Sequence, residues 1–319
     1  MEINTHFTVA SEHHGLRVDA ALAQLLPEYS RSLISSWIKD EHVLLNKNKC
    51  KPKDKVQTGD SIELKVHFSP VETRSKPEDI PLNIVYEDED VLVINKPAGL
   101  VVHPGAGNWQ HTLVNALLHH LPSLEQLPRA GIVHRLDKDT TGLLIIAKNL
   151  IAHTDLVRQM QARDIQRNYV TLVQGHLISG ATIDTNFGRH PRNRLKMAVL
   201  NQGRQAITQF TIKKQYQEFT LLDVQLMTGR THQIRVHLSH LNHSVVGDQL
   251  YCPRIKFPAD ADESLLNIFK EFKRQALHAS SLSFFHPISE NDLTCTAPLP
   301  DDFQQLLNAL DKHYESKTG

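Results

Sequence analysis

Apolar positions recur at helical spacing near the start of the chain. Leu16, Val18, Ala21, Leu22, Leu25 and Leu26 predict an amphipathic helix that Pro27 ends. Ser30 is placed to cap a second helix with Leu33, Ile34, Trp37 and Ile38 on one face. Short strands follow up to about Phe68, with turns at Asn46–Asn48 and Thr58–Asp60. The segment SPVETRSKPEDI from Ser69 to Ile80 is polar, carries two prolines and lacks periodicity, which reads as a linker.

The pattern then changes to strands. Ile84 to Pro97 holds two apolar runs around the acidic turn Glu87–Asp90. Thr112 is placed to cap a helix through Leu118. Leu143 to Ala147 is an unbroken apolar run bounded by Gly and charge, as in a buried strand. Asn149 caps the next predicted helix, which reaches Met160. Strands are predicted at 169–173, 206–214, 220–227, 282–285 and 293–296. Thr231 is placed to cap a helix ending near Leu241, and a final helix is predicted over 300–313. The order is mixed and neighbouring strands read as antiparallel, so the class is α+β. The expected division is 1–70, a linker 71–80, and 81–319.

Composition narrows the classes. The 319 residues are 40% hydrophobic, with no apolar run near the roughly 18 residues a membrane helix needs. The opening MEINTHFTVASEHHGL has no basic-then-apolar leader pattern. Cys50, Cys252 and Cys295 are few and far apart, as in a reducing compartment. A cytoplasmic monomer without a membrane partner is expected. Formal net charge is zero, which by itself argues against nucleic acid. The distribution argues otherwise. From Asp184 to Glu218 no acidic residue intervenes, while Arg189, Arg192, Arg194, Lys196, Arg204, Lys213 and Lys214 do. A solvated basic face and a phosphate-facing groove both fit. Lys47, Lys49, Lys51, Lys53 and Lys55 alternate, which puts them on one side wherever the chain is extended. A lysine-protected edge strand and an RNA contact are both open.

The candidate chemistry centres on Asp137, in a polar loop with His134, Arg135, Lys138 and Asp139 just before the buried run. A loop fed into a rigid sheet suits a reactive group, and a positioned carboxylate serves as nucleophile or base. The same residues also describe an ordinary turn or ion pair. His232, His237, His240 and His243 lie close in sequence, but without an HExxH pattern or a nearby Cys, so packing or phosphate contact is the better reading and no metal is expected.

Four ordered segments resemble the RluA-type pseudouridine synthases: Pro81 to Asn108, HRLDKDTTGLLIIAKN from His134 to Asn149, RNYV from Arg167 to Val170, and GRTHQIRVHLSHLNHSVVGDQLY from Gly229 to Tyr251. The N-terminal segment resembles an S4 RNA-binding domain. The resemblance implies a long mixed, mostly antiparallel sheet with a central cleft, preceded by a small S4-like module. It implies that Asp137 is the catalytic residue of a cofactor-free uridine isomerisation. Tyr169 would stack on the extruded uracil, and Arg235 would pair with Asp137. Arg135, His134, Arg230, Arg189, Arg192, Arg194, Lys47, Lys49 and Lys51 become candidate RNA contacts. The implied partner is large-subunit ribosomal RNA or a pre-ribosomal particle, with transfer RNA second. A non-catalytic RNA-binding protein and a glycosidic hydrolase are the competing classes; known glycosidases use paired carboxylates, and Asp139 is the nearest second one.

Overall fold

Antiparallel pairing organises both parts of the chain. The computed structural model describes residues 2–26, 31–67, 75–105, 108–252 and 254–315. It divides into two units, Met1–Arg74 and Ser75–Gly319. The expected helix stop at Pro27, the cap at Ser30, the side chain of Leu33 and residues 69–74 of the expected linker lie outside the described residues.

In the first unit the elements are β1 (Glu2–Thr8), α1 (Val18–Leu25), α2 (Arg31–Lys39), β2 (Val43–Leu45), β3 (Asn48–Lys49) and β4 (Ser61–His67). The strands form one antiparallel sheet in the order β1-β4-β2-β3. Val18, Ala21, Leu22, Ile34, Trp37 and Ile38 of the helices pack with Val43, Ile62 and Leu64 of the sheet. Asp19 is buried at the head of α1, where Arg17 and Arg31 each reach its carboxylate at 2.8 Å. Burial pushes the Asp19 pKa up, and the hydrogen bonds from Arg31 and Arg17 outweigh it and hold the group below the usual range. The alternating lysines do not share a strand face. Only Lys49 lies in β3, Lys47 sits in a turn at φ 63°, and at Lys51 the backbone N–H turns to the Asp54 carboxylate. The chain is extended here only at Asn48–Lys49, so the alternation does not gather the lysines on one side, although all five stay exposed.

The second unit contains β5 (Ile84–Glu87), β6 (Val91–Lys96), α3 (Leu113–His120), β7 (Thr141–Ala147), α4 (Leu150–Ala162), β8 (Gln166–Gln174), β9 (Ala181–Arg189), β10 (Met197–Val199), β11 (Arg204–Gln215), β12 (Phe219–Leu226), α5 (Gln233–His240), α6 (Glu263–Glu271), β13 (Leu277–Phe285), β14 (Asp292–Thr296) and α7 (Asp301–Glu315). Ten strands form one sheet in the order β10-β9-β11-β12-β8-β13-β7-β6-β5, with β14 on β13. Every pairing is antiparallel except β13 with β7. The α+β class follows.

The unbroken apolar run of β7 has a simple cause, because both faces are covered. Leu143, Ile145 and Ala147 pack with Ala152 and Leu156 of α4. Leu144 and Ile146 face the other way, into the larger core with Leu113 and Leu117 of α3. Asn149 caps α4, its side chain accepting the Ala152 N–H at 2.9 Å. Thr112 and Asn115 form a capping box on α3. Residues 76–78, read as linker, dock on that helix start: Asn115 donates to the Lys76 carbonyl, and the Glu78 N–H donates to the Asn115 carbonyl.

Where β7 meets its parallel partner, Thr141 and Gly142 lie opposite His278 and Ala279. Gly142 has φ +111°, and a Cβ there would sit 2.2 Å from the Ala279 carbonyl oxygen. Only glycine fits both the dihedral and the approach. Gly142→Ala is therefore predicted to destabilise the second unit by about 2 kcal/mol or more, since strain and clash combine. Urea unfolding reads this, and a midpoint equal to wild type would show that the β7–β13 junction yields freely.

Candidate active site

Asp137 lies five residues before Gly142, on the loop that enters β7. Hydrogen bonds from several directions fix that loop. The Lys96 ammonium, fully buried at the end of β6, donates to the carbonyls of Lys138 (2.8 Å), Pro97 (2.7 Å) and Leu100 (3.0 Å). Burial pulls the Lys96 pKa down to about 7, with Asp139 and Asp137 opposing the fall. Gln275 donates to the Thr140 hydroxyl, and the Thr140 N–H closes a turn on the Asp137 carbonyl. Ile145 donates its N–H to Nε2 of His134 at 3.2 Å.

Arg235 of α5 meets the Asp137 carboxylate, its Nη1 lying 2.8 Å from Oδ2. The other edge of the same guanidinium is bidentate on Asp248: Nε to Oδ2 at 2.6 Å and Nη2 to Oδ1 at 2.9 Å. Asp248 is fully buried and also accepts the N–H groups of Leu250 and Tyr251. Burial disfavours charge on Arg235, but Asp248 and Asp137 outweigh it and push its pKa upward. Burial likewise opposes charge on Asp248, and Arg235 holds its pKa below the usual range. The Tyr251 ring lies under the guanidinium at 5.1 Å, and its hydroxyl meets Nδ1 of His232 at 2.9 Å. His232 brings Nε2 to 3.9 Å from Asp137.

Asp137 opens on a cavity of about 470 Å³ that is also lined by Tyr169, Arg135 and Arg230. Tyr169 is held in the centre of the sheet, opposite Val224 of β12 and Ala279 of β13. Burial pushes its pKa to about 12, so the phenol keeps its proton. Arg135 is exposed at the cavity edge. Arg230 is exposed too, with Nε donating to the Gln205 carbonyl. His134, a candidate RNA contact, is held as a neutral ring rather than a cation. Burial, reinforced by Arg167, pulls its pKa down to about 3, so it is a neutral brace between the loop and β7.

The long basic window does not form one face. Arg189 ends β9 and Arg192 and Arg194 lie in the turn to β10, all three exposed, and Arg189 donates to the Arg194 carbonyl. That turn reaches the site indirectly, through Met197 N–H on the Tyr251 hydroxyl and Lys196 over the Tyr251 ring. Lys213 and Lys214 lie at the opposite end of β11, paired with Asp223 and Asp311. The four histidines also separate: His237 sits between the Thr208 and Thr185 hydroxyls, and His243 meets the Gln174 carbonyl. Thr231 does not cap α5. His232 occupies the cap at φ 59°, and the Gln233 side chain accepts the Arg230 N–H.

Sequence reading missed Asp248, Lys96 and Tyr251. Asp248 and Tyr251 lie inside the quoted VVGDQLY segment, but spacing alone does not point them at Arg235. Lys96 precedes a Pro in what reads as an ordinary strand end.

Comparisons with known proteins extend over the same residues. Residues 90–240 match the family described as RNA pseudouridylate synthase, and residues 16–62 match the S4 domain. The chain is 50% identical to "Ribosomal large subunit pseudouridine synthase D" of Xanthomonas campestris pv. campestris, over 93% of this chain and 89% of that protein. It is 49% identical to the Haemophilus influenzae protein of the same name, over 98% and 97%. For the Escherichia coli K12 protein of that name the figures are 47%, 97% and 94%. Among solved structures, Human RNA Pseudouridylate Synthase Domain Containing 4 superposes with a TM-score of 0.55 at 24% identity, over 72% of this chain and 92% of that one, which supports the fold.

Asp248→Asn should damage the site without touching any group that faces the cavity. It leaves a buried guanidinium short of a counter-charge, a loss of about 3–5 kcal/mol when a buried pair is broken. Thermal unfolding should show the destabilisation, and Arg235→Leu should show it as well. Full stability in both variants would mean that the Arg235–Asp248 pair does not hold the site together.

Proposed function

The chain belongs to the RNA pseudouridylate synthase family, and we propose that it isomerises uridines of large-subunit ribosomal RNA with Asp137 as the reacting carboxylate. The reaction breaks the bond from ribose C1′ to N1 of uracil and forms one from C1′ to C5. N1 gains a proton and C5 loses one, so nothing is oxidised and no group departs. One carboxylate suffices, attacking the sugar or the base or accepting a proton. The observation that carries the reading is the Arg235–Asp137 hydrogen bond at the wall of a cavity that also holds Tyr169.

The roles follow from the surroundings. Arg235 orients Asp137 and keeps a cation against it. Tyr169, protonated, offers a flat apolar face to an unstacked base. Extruding a base costs a few kcal/mol. Arg135, exposed beside the loop, is suited to fill the vacated place through its planar guanidinium. The names of the relatives support large-subunit ribosomal RNA as the substrate. The S4 match supports a separate RNA-gripping module at 1–70, joined through residues 71–80 to a catalytic part at 81–319. Lys47, Lys49 and Lys51 of that module, and Arg189, Arg192, Arg194 and Arg230 of the catalytic part, are exposed cations suited to phosphate. No described helix is long and apolar enough to cross a membrane. With Cys50, Cys252 and Cys295 all unpaired, we place the reaction in the cytoplasm, carried out by a monomer.

Asp137→Asn tests the assignment. The change keeps size and removes both nucleophile and base, so release of tritium from C5 of labelled uridine should fall to background while the RNA is still bound. Release near the wild-type rate would remove Asp137 from the chemistry.

A further inference from the structure

Arg167 is a buried cation that the catalytic scheme leaves unexplained. Among the described residues of the second unit three arginines are buried: Arg167, Arg235 and Arg274. Arg235 is paired with Asp248 and Asp137, and Arg274 is bidentate on Asp302. Arg167, 6% exposed, has no carboxylate partner among the described residues. Its Nη2 donates to the Leu226 carbonyl at a long 3.3 Å, and its buried Nε has no hydrogen-bond partner. Burial pushes its pKa down, with Tyr169 alone opposing that. A charge removed from water without a counter-ion is costly, so such a group is retained where a ligand supplies the anion.

The neighbour of Arg167 fits the same ligand. Nε2 of His134 accepts the Ile145 N–H, which places the proton of the neutral ring on Nδ1. That Nδ1 is buried and also has no partner. Arg167 and His134 line the cavity that holds Asp137 and Tyr169. The two orphaned groups are both donors, one of them charged, so they ask for an anionic acceptor. Uracil carbonyls would satisfy the hydrogen bonds but leave the charge uncompensated. Resting on the reading that RNA is the substrate, we propose that Arg167, assisted by His134, seats one backbone phosphate of the RNA next to the target uridine.

The test is a cycle between protein and phosphate. A stem-loop of large-subunit ribosomal RNA that the wild-type protein converts is synthesised with single methylphosphonates, which are neutral, placed one at a time around the target. At one position the substitution should weaken binding to wild type by about 10- to 100-fold, the range for a hydrogen-bonded charge. Arg167→Met should weaken binding of the unmodified RNA by a similar factor and be nearly indifferent to that methylphosphonate. Arg167→Lys should recover part of both effects. Gly229→Ala provides a second route that leaves Arg167 in the chain. A Cβ at residue 229 would sit 2.6 Å from Nη1 of Arg167, so it shifts the guanidinium and should reproduce the indifference. If every methylphosphonate that weakens wild type weakens the Arg167→Met and Gly229→Ala proteins equally, the phosphate seat is wrong while the isomerase reading stands. If wild type converts no stem-loop of large-subunit ribosomal RNA, the substrate reading fails and the seat falls with it.

Discussion

One guanidinium shared between two carboxylates holds the candidate site together. Arg235 sends two donors to Asp248 and one to Asp137. The partners come from separate stretches of chain, 13 residues from Arg235 on one side and 98 on the other. Burying these charges is unfavourable unless each is paired and its remaining lone pairs are used. Asp248 meets that condition, since both oxygens take Arg235 and one also takes two backbone N–H groups. Asp137 does not: among the described residues its second oxygen has only His232, at 3.9 Å. The asymmetry is the functional point. Asp248 is a fully satisfied anchor, whereas Asp137 keeps unused acceptor capacity toward the cavity.

The sheet supplies the rigidity this arrangement needs. Asp137 is placed by the β7 entry, Tyr169 by the middle of β8, and Arg235 by α5 after β12. The loop itself is tied down by Lys96, Gln275 and His134, which act on backbone or hydroxyl groups and leave the Asp137 side chain open. A reactive group on a loop braced from several sides needs little reorganisation when substrate arrives.

Much of this was legible in the sequence where the signal was local. The β7 run, the Asn149 and Thr112 caps and the acidic hairpin depend on near neighbours, and they formed as read. Asp137, Tyr169 and Arg235 were legible through the family resemblance, and the structure brings the three to one site. What escaped depends on contacts between distant residues. Strand β1 carries a weak apolar pattern and is fixed by pairing with β4, some sixty residues away. The hairpin of β9 and β10 and the helix α6 were also missed, although their signals are local: Asp262 caps α6, and β10 pairs with β9 across a short turn. Thr231 looked like a cap because the sequence does not reveal that His232 takes the cap position in a left-handed conformation. The basic window read as continuous because sequence does not show that β11 carries Lys213 and Lys214 away from Arg189. That His134 is a neutral ring bracing β7 was not legible, because its burial is a tertiary property.

The competing chemistries differ in their products, which makes one measurement decisive. Large-subunit ribosomal RNA lacking its pseudouridines is incubated with the purified protein, digested to nucleosides and separated. Isomerisation at an Asp137 held by Arg235 predicts pseudouridine appearing in equal amount to the uridine lost, with no free base. Release of uracil with abasic sites would show hydrolysis instead, and unchanged uridine would show an RNA-binding protein without this activity; either result would contradict the account.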